Sequence, residues 1–177
     1  EKQAIARAAA TLIRPGMAIT IDTGTTPLEV ARAIARTPDL RVLTSSLAVA
    51  SLLYATPNID LILLGGNVRQ DSPDLSGSLT EENLSRFRPD LAVLGADAAD
   101  RDGLFTSDLS FAHVSRAMIA NAGEVLFVID SAKIGRCSFV KFAEWRQAHH
   151  LVTDSGVSAE NREWLLGAVP DVRIVTP

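Results

Sequence analysis

The stretch Met17-Ala18-Ile19-Thr20-Ile21-Asp22-Thr23-Gly24-Thr25-Thr26-Pro27-Leu28-Glu29-Val30 decides the fold. Met17 to Ile21 is a short apolar run and reads as a strand. Thr26-Pro27-Leu28-Glu29 reads as a helix start, with Thr26 as N-cap, Pro27 at N1 and Glu29 at N3. Val30, Ala33 and Ile34 supply the buried face of that helix. A strand passing through a glycine turn into a helix is the repeating unit of parallel α/β proteins.

The same alternation extends both ways. Upstream, Ile5, Ala9 and Leu12 form a helical stripe that Pro15-Gly16 ends. Downstream, Arg41 to Leu43 reads as a strand, Ser46 to Tyr54 as a helix, and Ile59 to Leu64 as a buried strand stopped by Gly65-Gly66. Residues 66–77 read as a loop. Ser78-Leu79-Thr80-Glu81 reads as a second capping box, opening a helix to about Phe87. Leu91 to Leu94 is a strand, 96–108 a polar loop, and Val114, Ala117 and Met118 mark a helix. Val125 to Ile129, Leu151-Val152 and Val172 to Val175 are strands, with a helix from about Ser158 to Leu166 between the last two. Residues 131–148 fit no element. Strands with almost no polar alternation are buried on both faces. The expectation is a three-layer, Rossmann-like α/β domain on a mostly parallel sheet of about seven strands.

Composition agrees. The chain has 177 residues, 47% hydrophobic and 21% charged, enough for one domain with its own core. No apolar run approaches the ~20 residues that cross a bilayer, so no membrane partner is expected. Cys137 is the only cysteine, which excludes an internal disulfide and fits a reducing cytoplasm. A net charge of −4 argues against a broad nucleic-acid-binding face on this chain. His149-His150 has no partner at metal-ligand spacing, and no cofactor motif is present. The chain opens without Met in an apparent helix, which reads as a piece whose N-terminal part lies elsewhere.

In open parallel sheets, ligands bind at the carboxyl ends of the strands. The residues there are Asp22-Thr23-Gly24-Thr25-Thr26, Thr44-Ser45-Ser46, Gly65-Gly66, Gly95-Ala96-Asp97 and Asp130-Ser131-Ala132-Lys133. Hydroxyls, amides and carboxylates with one lysine suit a polyol bearing an anion. In the segment 22–26, Gly24 lets the chain turn so that amides at a helix N-terminus face an anion, and two threonines add donors. Thr26 reads equally well as a helix cap alone, and Lys133 as a solvated lysine. Phe139, Phe142 and Trp145 suit either a surface patch or the core.

At these residues a resemblance emerges. It rests on Ile19 to Thr26, Val42 to Ser46, Ile62-Leu63-Leu64-Gly65-Gly66-Asn67-Val68-Arg69, Leu94 to Asp97, Arg116 to Ile119, Asp130 to Gly135, and Thr153-Asp154. In that order, across the whole chain, these runs resemble the C-terminal effector-sensing domain of the DeoR family of sugar-responsive bacterial transcriptional regulators. The resemblance implies a fold similar to ribose-5-phosphate isomerase and a non-catalytic sensor of a phosphorylated sugar or polyol. It implies a winged helix-turn-helix ahead of this domain that contacts operator DNA, and a homo-oligomer. The implied phosphate loop is Thr23, Gly24, Thr25 and Thr26. The sugar and rim positions are Asp22, Thr44, Ser45, Ser46, Gly65, Gly66, Arg69, Gly95, Asp97, Asp108 and Lys133.

Some positions depart from the family. Ser45 stands where Asn is usual, and Asp108, Phe111 and Ser115 stand where Asn, Glu and Lys are usual. The competing reading is an active sugar-phosphate isomerase or deaminase. Gly95-Ala96-Asp97 and Asp100 resemble the isomerase's acidic motif, and Asp108 falls near its general base. The isomerase's lysine is missing, with Arg101 and Asp102 in its place, so the expectation is no catalytic residue.

Overall fold

The computed structural model describes residues 1–70 and 72–177. The chain begins with α1 (Lys2–Ala10), β1 (Ala18–Ile21), α2 (Thr25–Ile34), β2 (Leu40–Thr44), α3 (Leu47–Leu53) and β3 (Ile59–Leu63). Next come β4 (Asn67–Val68), β5 (Leu75–Ser76), α4 (Ser78–Ser85), β6 (Leu91–Leu94), β7 (Ala98–Asp100) and β8 (Gly103–Thr106). The remainder is α5 (Leu109–Asn121), β9 (Glu124–Val128), β10 (Val140–Ala143), β11 (His150–Asp154), α6 (Ala159–Ala168) and β12 (Asp171–Val175).

Seven strands form one sheet in the order β12-β11-β9-β6-β1-β2-β3. Every pairing in it is parallel. From β1 the chain steps outward to β2 and β3, then returns to the other side of β1 as β6 and continues to β12. The direction of winding therefore reverses between β1 and β6, which opens a crevice at their carboxyl ends.

The inner strands β1, β6, β9 and β11 bury both faces because successive side chains point to opposite sides and nearly all are apolar. The expected buried strand at Ile59 to Leu64 is instead a half-exposed edge: β3 closes the sheet with no strand beyond it, and Leu63 is 45% exposed. Ile19, Ile21, Val93, Leu126 and Val128 pack with Ile5 and Ala9 of α1, Val30 and Ile34 of α2, and Val49 and Leu53 of α3. Their neighbours Ala92, Leu94, Val125 and Phe127 face the other way, onto Leu84 of α4, Met118 of α5 and Leu165 of α6. The result is the expected three-layer architecture.

Local structure corrects several expectations. The N-cap of α2 is Gly24, not Thr26, and Gly77, not Ser78, precedes α4; neither helix start carries a side-chain cap bond. Gly24 has φ 114°, a conformation that opens the helix two residues early. Pro27 then falls in the first turn, where its missing N–H costs nothing. Thr26 is turned inward, and its hydroxyl is buried without a hydrogen-bond partner among the described residues.

The polar segments 66–77 and 96–108 are not plain loops. The first contains the β4–β5 ladder, apart from Asp71, which lies outside the described residues. The second contains the β7–β8 hairpin, to which β10 adds a third strand from the unassigned region 131–148. Phe142 and Trp145 belong to the core, whereas Phe139 is 86% exposed. His150 directs both ring nitrogens at carboxylates, Nδ1 to Asp171 at 2.8 Å and Nε2 to Glu124 at 2.9 Å. Among the described residues, no helix is long and apolar enough to cross a membrane.

Candidate functional site

A cavity of about 190 Å³ lies at the winding reversal, over the carboxyl ends of β1 and β6. Its floor is the β1–α2 connection, Thr23 to Pro27, beside Gly95, Ala96 and Asp97 after β6. Arg69 and Ser72 from the β4–β5 connection, Thr106, Ser107, Asp108 and Phe111 from the β8–α5 junction, and Lys133 after β9 complete the wall. Gly95 permits the tight floor, since a Cβ there would meet the Pro27 ring at 3.4 Å.

The turn is held from beneath. Asp22 is fully buried, and its Oδ1 accepts from the Thr23 amide at 2.8 Å. The Gly24 carbonyl accepts from Leu28, the first regular bond of α2. Among the described residues the amides of Gly24, Thr25 and Thr26 find no protein acceptor. They stand at the positive end of α2, which buries Val30, Ala31 and Ile34 to hold its axis on the sheet.

Charges of both signs surround this end. Lys133 is half-buried and its Nζ donates to the Ala96 carbonyl at 2.7 Å. Arg69 lies 3.2 Å from Asp74 and 3.4 Å from Asp108. Asp108 also caps α5, accepting from the Phe111 amide at 2.8 Å. Asp97 Oδ2 accepts from Thr106 Oγ1, the Ser107 amide and Ser107 Oγ, at 2.9 to 3.1 Å. Desolvation would raise Asp97, but those bonds, with the charge of Lys133, hold it below the usual carboxylate range. Burial pushes Asp74 up, against the opposing pull of Arg69. Burial pushes Asp22 up to about 8, the charges of Asp74 and Asp97 adding to it and the Thr23 and Gly95 amides only partly offsetting it. Asp22 is therefore a neutral acid at pH 7, and its Oδ2 is buried without a partner among the described residues.

The expected site residues divide into two groups. Thr23, Gly24, Thr25, Thr26, Arg69, Gly95, Asp97, Asp108 and Lys133 line the cavity together. Asp22, Thr44, Ser45, Ser46, Gly65 and Gly66 do not. Thr44 uses its hydroxyl on the Ile21 carbonyl and the Ser46 amide. Ser46 caps α3, and the Ser45 carbonyl accepts from Leu75. The Gly65 carbonyl accepts from Thr80 Oγ1, and Gly66 packs against Ser76 and Thr80. The segment leading into β5 covers the end of β2: Ser46 bridges Asp74, and Leu47 donates to the Pro73 carbonyl. Of the departures from the family pattern, Phe111 lines the cavity and Ser115 is fully buried in α5. Ser72, Thr106 and Ser107 are lining residues that strand-end reasoning passed over. They end or follow short strands, and only the β7–β8 hairpin and β4–β5 ladder bring them in.

Amides without a protein acceptor at a helix N-terminus, with Lys133 and the ion-paired Arg69 nearby, are chemistry that suits an anion. A carboxylate with hydroxyl neighbours beside it suits a ligand carrying hydroxyl groups.

The DeoR C terminal sensor domain profile matches residues 1–155. The chain is similar to a putative aga operon transcriptional repressor of Escherichia coli O157:H7, at 31% identity over 98% of this chain and 65% of that protein. It is 35% identical to the glycerol-3-phosphate regulon repressor of Escherichia coli K12, over 88% of this chain and 62% of that one. It is 32% identical to the transcriptional repressor GlcR of Bacillus subtilis 168, over 87% and 59%. The chain thus spans 59–65% of the length of these three relatives. Among solved structures, ribose 5-phosphate isomerase A of Methanocaldococcus jannaschii matches with a TM-score of 0.53 at 20% identity, over 75% of this chain and 53% of that one. The translation initiation factor eIF-2B structure of Pyrococcus horikoshii OT3 matches with a TM-score of 0.56 at 17% identity, over 85% and 61%. These two likenesses concern the fold alone.

Proposed function

Because this chain belongs to the DeoR C-terminal sensor domain family, we propose that it is the effector-binding part of a transcriptional repressor and that its ligand is a phosphorylated sugar or polyol. The observation that carries this reading is the set of unpaired amides at Gly24, Thr25 and Thr26, beneath a cavity that Lys133 and Arg69 also line. The phosphoryl group sits over those amides, and Asp97, Ser107 and Lys133 take the hydroxyls. Operator DNA is contacted by a part of the regulator outside this chain, and two-fold operators ask for a homo-oligomer. Family membership and the relatives' names support these roles.

The enzyme reading draws no support from the geometry. Asp108, at the general-base position, is engaged by the α5 cap and by Arg69. Arg101, where the isomerase would carry its lysine, pairs with Glu160 outside the cavity.

Calorimetric titration with phosphorylated and free sugars tests the proposal. The Thr25 hydroxyl, on the cavity lining, is a further donor to the phosphoryl group. Charge-assisted hydrogen bonds are worth about 1.5–3 kcal/mol each, so removing that hydroxyl in Thr25→Val is expected to weaken a phosphorylated ligand roughly 10- to 150-fold with the fold intact. A free sugar that binds as tightly as its phosphate would return the turn to a plain helix start.

A further inference from the structure

Phe111 is the one aromatic side chain among the described residues lining the cavity, in a wall otherwise dominated by hydroxyls, amides and charges. Its placement is rigid. Its amide donates to the Asp108 cap, which fixes the first turn of α5. Its ring stands edge-on to Phe142, with centroids 6.3 Å apart and planes at 85°. Phe142 packs in turn on Phe127, and Phe127 on Trp145, so a continuous aromatic row runs from the core to the cavity wall. The ring is half-buried and backed by this aromatic row, so it has packed neighbours on its core side.

An aromatic ring in the wall is poorly matched by phosphate, carboxylate or freely rotating hydroxyls. It is well matched by a flat patch of C–H groups, which packs favourably on an aromatic ring. The closed ring of a sugar offers such a patch, with its hydroxyls projecting to the sides. A linear polyol has no fixed apolar face, and it loses more rotational freedom on binding. The polar wall needs no such face: Asp97, held ionised by Ser107 and Thr106, and Lys133 read hydroxyls in either form.

We infer that Phe111 is a specificity-determining residue that selects the closed-ring form of a sugar phosphate over linear polyol phosphates. The inference rests on the phosphorylated-ligand reading and narrows it to one ligand class.

The test uses matched pairs that share phosphate and carbon chain but differ in ring closure: glucose 6-phosphate against sorbitol 6-phosphate, and ribose 5-phosphate against ribitol 5-phosphate. Calorimetry on the wild-type chain is expected to favour the ring member of the better-binding pair by roughly tenfold. Phe111→Ser should remove that preference by weakening the ring form while leaving the linear form within about twofold. Phe111→Leu keeps apolar bulk without a flat face, guards against a folding defect, and should lose most of the preference. A linear form that binds as well as its ring partner overturns this inference alone, as does equal weakening of both forms by Phe111→Leu in a folded protein. Absence of binding by all four phosphates overturns the phosphorylated-ligand reading and this inference with it.

Discussion

Asp22→Asn is expected to make the protein more stable at neutral pH, by up to a few kcal/mol. The carboxyl is fully buried and its proton is held up to about pH 8. Near pH 3 both the folded and unfolded states carry that proton. Between about pH 4 and 8 the unfolded chain releases it while the folded chain keeps it. The unfolded state then binds fewer protons, so stability falls as pH rises, by about 1.4 kcal/mol per unit. Above about pH 8 both states are ionised and the decline from this group ends. Asparagine keeps an oxygen for the Thr23 amide and has no proton to lose. The ionisation linkage amounts to at most about 4 kcal/mol at pH 7, the buried NH2 of asparagine, which faces no acceptor, subtracts from it at every pH, and the gap should shrink steadily toward pH 4. Urea unfolding of both proteins at half-unit steps from pH 4.5 to 9 measures it. Parallel curves would mean that Asp22 ionises normally in the folded protein.

Gly66→Ala is expected to destabilise by about 3–5 kcal/mol, adding backbone strain to overpacking. Gly66 has φ +151°, and a Cβ would stand 2.1 Å from Thr80 Oγ1 and 2.7 Å from the Ser76 carbonyl. Thr80 cannot yield without giving up its 2.7 Å bond to the Gly65 carbonyl, and the Ser76 oxygen belongs to the β4–β5 ladder. That ladder brackets Arg69 and Ser72 of the cavity wall, so ligand affinity should fall together with the melting temperature. A loss under about 1 kcal/mol in thermal melts would show that the ladder shifts to accept the methyl group.

Gly66 also illustrates what could and could not be read beforehand. Gly65-Gly66 follows a strand, and strand ends carry ligands in this architecture, so the pair invites a place on the rim. Its real work is close packing against a ladder of two-residue strands, too short and too polar to leave a periodic signal. Thr44 and Ser46 mislead in the same way: their hydroxyls suit a ligand, but they satisfy local backbone groups. By contrast, the seven sheet strands were legible because runs such as Leu91–Leu94 and Val125–Val128 are apolar on both faces. Thr23 to Thr26, Gly95, Asp97 and Lys133 were legible as a group because parallel strands bring their carboxyl ends to one edge. The cap of α2 was misplaced because Thr-Pro is a sound helix start wherever it falls in the first turn. Only the positive φ of Gly24 moves the boundary. Ser72, Thr106 and Ser107 reach the cavity through register in the short β4–β5 and β7–β8 ladders, which depends on distant packing.

The central claim is that the amides at the start of α2 receive the anionic group of a ligand. Amide chemical shifts followed during titration with a phosphorylated sugar test it most directly. The account predicts that Gly24, Thr25 and Thr26 move most, saturably, and that the corresponding free sugar leaves them in place. Largest shifts at the opposite end of the sheet, in the cavity lined by Gly16, Asp39, Arg41 and Asp60, with Gly24 to Thr26 unmoved, would contradict it.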